Sequence, residues 1–149
     1  MYTEQLTQAL SVAAHCDPTT LNTGGTASLT SGAVDLSKFR RLMALVLVGA
    51  NAGSITAKLQ AAKTSGGAYS DVTGSTLTAI TAANKQATIE LRQDQIESIL
   101  GAGYQFVKLV ITQGSAADSI CAGVILGGEA EHEPASAQDP ASVTQRLVL

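Results

Sequence analysis

Few residues in this chain have the types and spacing needed for chemistry. Gly101-Ala102-Gly103 opens like a dinucleotide-binding loop, but the third glycine is absent and a predicted strand follows where that motif needs a helix. His15-Cys16-Asp17 and Glu131-His132-Glu133 each offer metal-ligand atoms. Adjacent residues of one segment seldom point at one ion, and neither cluster has a second contributing segment. We therefore predict no catalytic, cofactor-binding or metal-binding residue.

The common enzyme motifs are also missing. The sequence contains neither GxxxxGK followed by Ser or Thr nor a GxSxG nucleophile elbow. Its two histidines lie outside the predicted core, which leaves few candidates for general acid–base catalysis. Cys16 and Cys121 form no CxxC motif; we interpret Cys121 as a small buried hydrophobe, with a Cys16–Cys121 bridge as the alternative. The prediction is that the protein is not an enzyme.

Composition indicates one domain with a weakly charged surface. The chain has 149 residues, enough for a single substantial core. Charged residues make up 14% of it, against roughly 25% in an ordinary soluble protein. A surface with few charges is poorly protected from association. This favours contact with neighbouring subunits, although a weakly charged monomer remains an alternative.

The charges are unevenly distributed along the chain. Residues 1–128 contain eight acidic and eight basic residues, whereas residues 129–149 contain four acidic residues and one basic residue, Arg146. There is no basic surface for nucleic acid. The only basic cluster, Arg40-Arg41 beside Lys38, is interpreted as an exposed strand rim, with a partner contact as the alternative. No apolar run is long enough for a membrane span and no signal peptide is visible, so we expect assembly in the cytoplasm.

Alternation of apolar and polar residues predicts an all-β domain. Strands are predicted at residues 39–48, 54–61, 77–81, 87–92, 104–112 and 120–126. We predict that the last two form a hairpin in the core, and that 39–48 and 54–61 form another. In the final strand small residues alternate with large ones, which lets a second layer approach closely. This pattern predicts a β-sandwich.

The remaining segments predict a short helix and two extensions. Asp94-Gln95-Ile96-Glu97 resembles a capping box with Asp94 as N-cap, and Gly101 ends the helix. Leu6, Leu10 and Ala13 have helical spacing, which predicts a short N-terminal helix or a loose arm. Residues 18–32 read as a loop with one short strand at most. The apolar end at residues 142–149 is predicted to dock on this domain or on a neighbouring subunit.

Several stretches together resemble a known family. These are Asp35-Leu36-Ser37-Lys38-Phe39-Arg40-Arg41 before an apolar strand, the turn Tyr69-Ser70-Asp71-Val72-Thr73-Gly74, the strand Tyr104-Gln105-Phe106-Val107-Lys108, and Gly127-Gly128-Glu129-Ala130 before a tail that contains proline. Over residues 33–149 the chain resembles the small decoration, or cement, proteins that stabilise the heads of tailed bacteriophages. The resemblance implies a jelly-roll-like β-sandwich on the outer surface of the virion capsid, used in many copies to bridge capsomers.

The resulting prediction is a structural virion protein. The predicted domains are an N-terminal arm or short helix plus loop (1–32), a jelly-roll-like β-sandwich with one short connecting helix (33–128), and a C-terminal extension (129–149). The resemblance implies two partners, the major capsid protein and the chain itself as a dimer or trimer, with no nucleic acid and no membrane. Contact residues are predicted from the termini and the basic cluster: Tyr2, Leu6, Leu10, Arg40, Arg41, Val143, Arg146, Leu147, Val148 and Leu149.

The alternative is a carbohydrate- or receptor-binding β-sandwich module of a phage fibre or other virion appendage. Sugar platforms need exposed aromatic rings. The chain has no Trp and only five other aromatic residues, which are Tyr2, Phe39, Tyr69, Tyr104 and Phe106. Composition therefore favours the structural prediction.

Overall fold

The computed structural model of the chain describes residues 6–131, 140–145 and 147. Within those residues the chain is built almost wholly of strands. They are β1 (Leu10–Leu21), β2 (Ser28–Thr30), β3 (Val34–Asp35), β4 (Phe39–Asn51), β5 (Ile55–Ala62), β6 (Ser70–Asp71), β7 (Lys85–Arg92), β8 (Phe106–Gln113) and β9 (Ser119–Ala130). The helices are α1 (Leu6–Ala9) and α2 (Gln93–Leu100), and Pro140–Ser142 forms one 3-10 turn.

The strands form two antiparallel sheets that enclose the core. Sheet A has the strand order β1-β9-β4-β7. Sheet B has the order β2-β8-β5-β6, with β3 also paired to β8. Most connections cross from one sheet to the other, which is the strand arrangement of a jelly roll. The prediction of an all-β, jelly-roll-like sandwich with one short connecting helix is therefore confirmed.

The core lies between the sheets and is made by alternate residues of the central strands. Val107, Leu109 and Ile111 of β8 are fully buried, as the period of two predicted. The inward residues of β5 are also those predicted: Ile55, Ala57, Leu59 and Ala61. The short strand predicted at residues 77–81 is reduced to one bridge, between Ile55 and Ile80.

Two glycines of β9 make room for neighbouring side chains. A Cβ atom at Gly123 would lie 2.7 Å from Cδ2 of Leu109 in the opposite sheet. A Cβ atom at Gly127 would overlap the ring of Phe39, which lies against the strand there. The small residues of β9 thus allow the close approach of a second layer that the sequence predicted.

Two predicted hairpins are instead arches between the sheets. β8 belongs to sheet B and β9 to sheet A, and β5 and β4 are divided in the same way. Both hairpin predictions were therefore wrong. Turn residues such as Gly49 and Gly53 suit either kind of connection, so they do not distinguish a hairpin from an arch. Each of the four strands has an apolar inward face. An arch brings two such faces together across the core, whereas a hairpin would place them side by side.

The N-terminal segment is mostly strand. Helix α1 ends at Ala9, and the next twelve residues form β1, which pairs with β9 at one edge of sheet A. The predictions of a helix up to Ala13 and of a loop from Pro18 are wrong for these residues. Register shifts between Val12 and Ala14 and between Cys16 and Thr19 interrupt the alternation by which a strand is recognised. Residues 10–30 therefore contribute β1 and β2 to the sandwich.

Helix α2 follows β7 in the predicted position but begins earlier than predicted. The side-chain oxygen of Gln95 accepts a hydrogen bond from the Arg92 backbone N–H at 3.0 Å. Arg92 is the N-cap, so the prediction of Asp94 as N-cap was wrong. Asp94 lies in the first turn, where its carboxylate is 3.1 Å from the Arg92 guanidinium. Ile96 is fully buried and anchors the helix to the core.

Both cysteines are buried in the core with free thiols. The interpretation of Cys121 as a small buried hydrophobe is confirmed. Burial, followed by the neighbouring Cys121 and Asp17, raises the pKa of Cys16 from 9.0 to about 11. Burial also raises the pKa of Cys121. The thiolate is the nucleophilic form of cysteine, so both side chains are inert at neutral pH.

Candidate functional site

The outward face of sheet A is apolar across its two central strands. The register of β4 and β9 aligns three apolar pairs on this face: Met43 with Leu126, Leu45 with Val124, and Leu47 with Ala122. Ile120 continues the row along β9. Since the intervening residues of both strands point into the core, these side chains lie on the opposite, outward face of the sheet. Five of them, distant from α1, are called the outer patch: Leu45, Leu47, Ile120, Ala122 and Val124.

The outer patch is open to solvent. Leu47 is 41% exposed and Ile120 is 45% exposed. On the neighbouring strand β7, the residues opposite Leu45 and Leu47 are the uncharged Thr88 and Gln86. On the other side of the patch, β1 places His15 opposite Val124, and His15 Nε2 lies 3.2 Å from Asp17 Oδ1, so the uncharged edge is the one toward β7. Contiguous exposed apolar surface of this kind marks a site of interaction.

The outward face of sheet B is polar by contrast. Thr56, Lys58 and Gln60 point outward from β5, as the sequence predicted. Asp71 accepts hydrogen bonds from Lys58 Nζ and from Gln60 Nε2, each at 2.7 Å. These bonds lower the pKa of the Asp71 carboxyl. Of the two outward sheet faces in the described residues, only that of sheet A carries an uninterrupted apolar surface.

A groove of about 680 Å³ lies at the end of sheet A next to α1. Its apolar lining includes Leu6, Ala9, Leu10, Met43 and Leu126 together with Leu42 and Leu91, and this cavity is called the groove. Leu6 is 71% exposed, so this lining is accessible from solvent. The groove continues the apolar surface of the outer patch along β4 and β9. Met43 precedes the patch residues on β4, and Leu126 follows the patch residues on β9.

Charged side chains form the rim of the groove. They are Arg41, Glu90, Arg92 and Glu129. Arg41 Nε lies 3.1 Å from Glu129 Oε1, and the Arg92 guanidinium pairs with Asp94. Among the described residues Glu90 has no ion-pair partner. The rim therefore offers one uncompensated carboxylate.

No protein-family model matches this chain. A search of curated proteins finds no match either. Among solved structures, the K3 cleaved adhesin domain of Lys-gingipain from Porphyromonas gingivalis W83 is similar, with a TM-score of 0.46 and 18% identity over 76% of this chain and 74% of that chain. TmCBM61 in complex with beta-1,4-galactotriose has a TM-score of 0.38 and 15% identity over 76% of this chain and 70% of that chain.

A third similar structure is that of Bacillus endospore appendages, described as disulfide-linked pili. It has a TM-score of 0.39 and 18% identity over 86% of this chain and 94% of that chain. The likeness of this chain to all three is one of fold.

The structure brings three predicted contact residues together at the groove. Leu6 and Leu10 line it, and Arg41 stands on its rim. Arg40 is exposed beside them and lines a shallower depression with Arg92 and other polar residues. Among the described residues Arg40 has no ion-pair partner. These residues come from α1, β1 and β4. Strands β1 and β4 are distant in the sequence, and both pair with β9, which brings them together.

Val143 and Leu147, the predicted contact residues of the C-terminal extension that the structure describes, do not line the groove. Val143 is partly exposed and Leu147 is 74% exposed. Tyr2, Arg146, Val148 and Leu149 lie outside the described residues. The prediction that the extension docks on a protein surface stays a prediction.

Sequence reasoning missed the outer patch. Strand β9 is apolar on both faces, and its inward residues, which include two glycines, are Cys121, Gly123, Ile125 and Gly127. Val124 and Leu126 face outward. The strands of an antiparallel sheet with one solvated face should alternate apolar and polar residues. The continuous apolar run of β4, next to a strand as apolar as β9, was therefore the available signal of an apolar outer face.

Of the two clusters of titratable side chains noted in the sequence, the described residues include the whole of one, His15-Cys16-Asp17. Within residues 6–131 and the described part of the C-terminal extension, no three His, Cys, Asp or Glu side chains come together as a metal site. His15 Nε2 lies 3.2 Å from Asp17 Oδ1. The other cluster considered and discounted in the sequence, at 131–133, includes His132 and Glu133, which lie outside the described residues. None of the described helices is long and apolar enough to cross a bilayer.

Asp35 is held by its own local network. Partial burial raises the pKa of its carboxyl, but hydrogen bonds from the Gln105 side chain at 2.6 Å and from the Ser37 backbone N–H at 2.9 Å outweigh it. The resulting pKa lies below its ordinary value. The carboxylate thereby links the turn after β3 to the segment before β8, which is a structural role.

The half-buried ring of Tyr69, one of the few aromatic rings in the chain, is already in contact with a lysine side chain. Lys108 Nζ lies 4.2 Å from the centroid of the Tyr69 ring, a cation–π contact. The Tyr69 hydroxyl donates a hydrogen bond to the Ser65 carbonyl at 2.8 Å. A sugar would have to displace the lysine to stack on this ring, which disfavours Tyr69 as a carbohydrate platform.

Proposed function

We propose that this chain is a structural virion protein that binds the outer surface of a phage head and cements adjacent capsomers. The observation that carries the proposal is the outer patch of sheet A, an exposed apolar face with no charged residue among its members. Its neighbours on β7 are uncharged, so this face is suited to a protein surface and not to an anionic polymer. The partner is the major capsid protein.

The size of the apolar face limits how strongly one contact can bind. Two strand widths by seven residues cover about 230 Å². At about 25 cal/mol per Å², burying that area contributes about 6 kcal/mol. The loss of translational and rotational freedom on association costs about 4–15 kcal/mol. One patch therefore binds weakly, and firm attachment requires several linked contacts per assembly.

Linked contacts suit a cement protein used in many copies. A homo-oligomer, either a dimer or a trimer, presents several patches at once and raises the effective concentration of each. Binding only the closed, mature shell stabilises that shell against the internal pressure of packaged DNA, because any ligand of one state opposes conversion to the other. The proposed location is the outer surface of the capsid, reached after synthesis in the host cytoplasm.

The test is co-sedimentation of the purified protein with phage heads that lack it. We expect saturable binding in many copies and a higher temperature of heat-induced DNA release. The double variant Leu47→Glu with Ile120→Glu should bind roughly tenfold more weakly or worse, since it places charge in the apolar contact. Both side chains are exposed, so the variant should fold.

The matched control is Ile99→Glu, which changes an equally exposed side chain, 40% accessible, on helix α2. It should bind heads like the unchanged protein. Failure to bind any related head, together with glycan binding that Tyr69→Ala abolishes, would instead support a carbohydrate- or receptor-binding module of a virion appendage.

A further inference from the structure

We propose that the groove binds the C-terminal segment, residues 143–149, of a second copy of this chain. The proposal goes beyond the proposed function, because it concerns contact between copies and needs no phage head. The groove opens beside α1, where Leu6 and Leu10 project from the N-terminal segment. None of the described residues 140–145 and 147 lines it, so the described tail of the same chain leaves it open.

The chemistry of the tail suits the lining of the groove. The sequence ends in three consecutive apolar residues, Leu147, Val148 and Leu149. Leu147 is 74% exposed, and on the other side Leu6 is 71% exposed. Each of these apolar surfaces lacks a cover among the described residues. Bringing them together removes both from water, which is favourable in proportion to the apolar area buried.

Charge complementarity sets the orientation of the tail in the groove. Arg146 is the only basic residue in residues 129–149, and it immediately precedes Leu147. On the rim of the groove, Arg41 and Arg92 are already paired, whereas Glu90 has no ion-pair partner among the described residues. With Leu147 seated in the groove, the Arg146 guanidinium comes within reach of the Glu90 carboxylate, a charge-assisted contact.

The path of the chain favours exchange between two copies. Gly128 and Glu129 of β9 line the groove, so the extension leaves the sheet beside it. The eleven residues 132–142 that follow can span at most about 36 Å when extended. That reach is long enough for residues 143–149 to enter the groove of a second copy packed alongside, and the mixing experiment below separates this arrangement from docking within one chain. Reciprocal exchange closes as a two-fold dimer with two identical contacts, each of which raises the effective concentration for the other.

The test measures dimerisation of the full chain by sedimentation over a range of concentrations. Leu10→Glu in the groove and Leu147→Glu in the tail should each raise the dimer dissociation constant at least roughly tenfold. Leu6→Glu should act in the same way, and its position on an exposed surface removes the risk of misfolding. Ile99→Glu, on helix α2, is the matched control and should leave dimerisation unchanged.

A mixing experiment then distinguishes exchange from docking within one chain. A Leu10→Glu chain keeps an intact tail, and a Leu147→Glu chain keeps an intact groove. Mixed together, they should form a heterodimer with one intact contact, although neither dimerises well alone. Glu90→Arg and Arg146→Glu should each weaken the dimer, and the two changes combined in one chain should restore it.

Three results would overturn the proposal. The first is a full chain that stays monomeric at all concentrations. The second is a dimer that Leu10→Glu, Leu6→Glu and Leu147→Glu all leave intact, which would locate the contact elsewhere, for example on the outer patch. The third is no recovery on mixing, which is the result expected when each tail occupies its own groove. All three are measured without heads, so they are independent of the capsid-binding test.

Discussion

Gln113 is the buried residue that connects the loops at one end of the sandwich. Its side-chain Nε2 donates hydrogen bonds to the Ala117 carbonyl at 2.6 Å and to Ser119 Oγ at 2.8 Å. Its Oε1 accepts a hydrogen bond from the Ser54 backbone N–H at 3.1 Å. Ser119 in turn donates to Asn51. One amide thus joins the arch between β8 and β9 to the arch between β4 and β5.

Replacing this amide should be costly. We expect Gln113→Ala to lower the free energy of unfolding by about 2–4 kcal/mol, because it leaves the Ser54 N–H and the Ala117 carbonyl without their partner and opens a cavity. Urea unfolding followed by circular dichroism measures the change. Gln86→Ala, on the exposed face of β7, is the control and should have little effect. Equal effects of the two substitutions would mean that water replaces the buried amide.

At the scale of the elements, the two faces of strand β9 have different roles, one in the core and one on the exposed surface. Its inward residues are small where Leu109 and Phe39 approach, at Gly123 and Gly127. Its outward residues supply three of the five members of the outer patch, and outward Leu126 lines the groove. The strand lies between β1 and β4 and therefore controls both the thickness of the core and the shape of the exposed apolar face.

A side chain at Gly127 should disturb the packing of Phe39. We expect Gly127→Ala to lower the free energy of unfolding by about 1–3 kcal/mol, because the added Cβ overlaps the ring and the ring has no free end that can move away. Thermal unfolding by calorimetry checks this. Gly66→Ala is the control, since a Cβ there meets no heavy atom within 4 Å. A neutral Gly127→Ala would show that β9 shifts to accommodate the methyl group.

At the scale of the whole molecule, the sandwich is asymmetric. Sheet A turns an apolar face outward, whereas sheet B turns outward a polar face of threonine, lysine and glutamine. The groove lies at the end of sheet A where both the N-terminal helix and the start of the C-terminal extension are found. The surfaces proposed for partners are therefore gathered on one side of the domain, and the other side is left to solvent.

Removing the C-terminal extension should leave the domain folded. Ala130 pairs with Phe39 in sheet A, and the Glu131 N–H donates to the Lys38 carbonyl at 3.0 Å, so the cut belongs after Glu131. We expect a chain ending at Glu131 to change the free energy of unfolding by less than about 0.5 kcal/mol, because residues 140–145 and 147 contribute nothing to the buried core. Urea unfolding checks this.

The control for that truncation is a chain ending at Gly128, which loses the pairing of Ala130 with Phe39 and should be clearly less stable. A large loss of stability in the chain ending at Glu131 would mean that the extension belongs to the packed domain. In that case the extension would not be available to bind a second copy.

Local patterns in the sequence were sufficient for the class of fold and for much of the core. The alternation around Leu59 and Leu109 identified two buried strands, and the placement of a short helix near Ile96 was correct, because period and capping residues act over a few neighbours. Local patterns were insufficient to predict β1, since register shifts around Ala14 and Thr19 interrupt its apolar–polar alternation. The contact residues Leu6 and Leu10 were named from helical spacing, although only Leu6 lies in a helix.

The sequence by itself determined that β4 and β9 are strands with apolar residues on both faces. Only the tertiary structure decided which face enters the core. A period of two is the same for either choice, and the choice depends on pairing between strands distant in the chain. The arches that separate β8 from β9 turn Gly123 toward Leu109 and leave Leu47 and Ile120 outside. The outer patch and the groove exist because long-range packing, and not local propensity, assigned those faces.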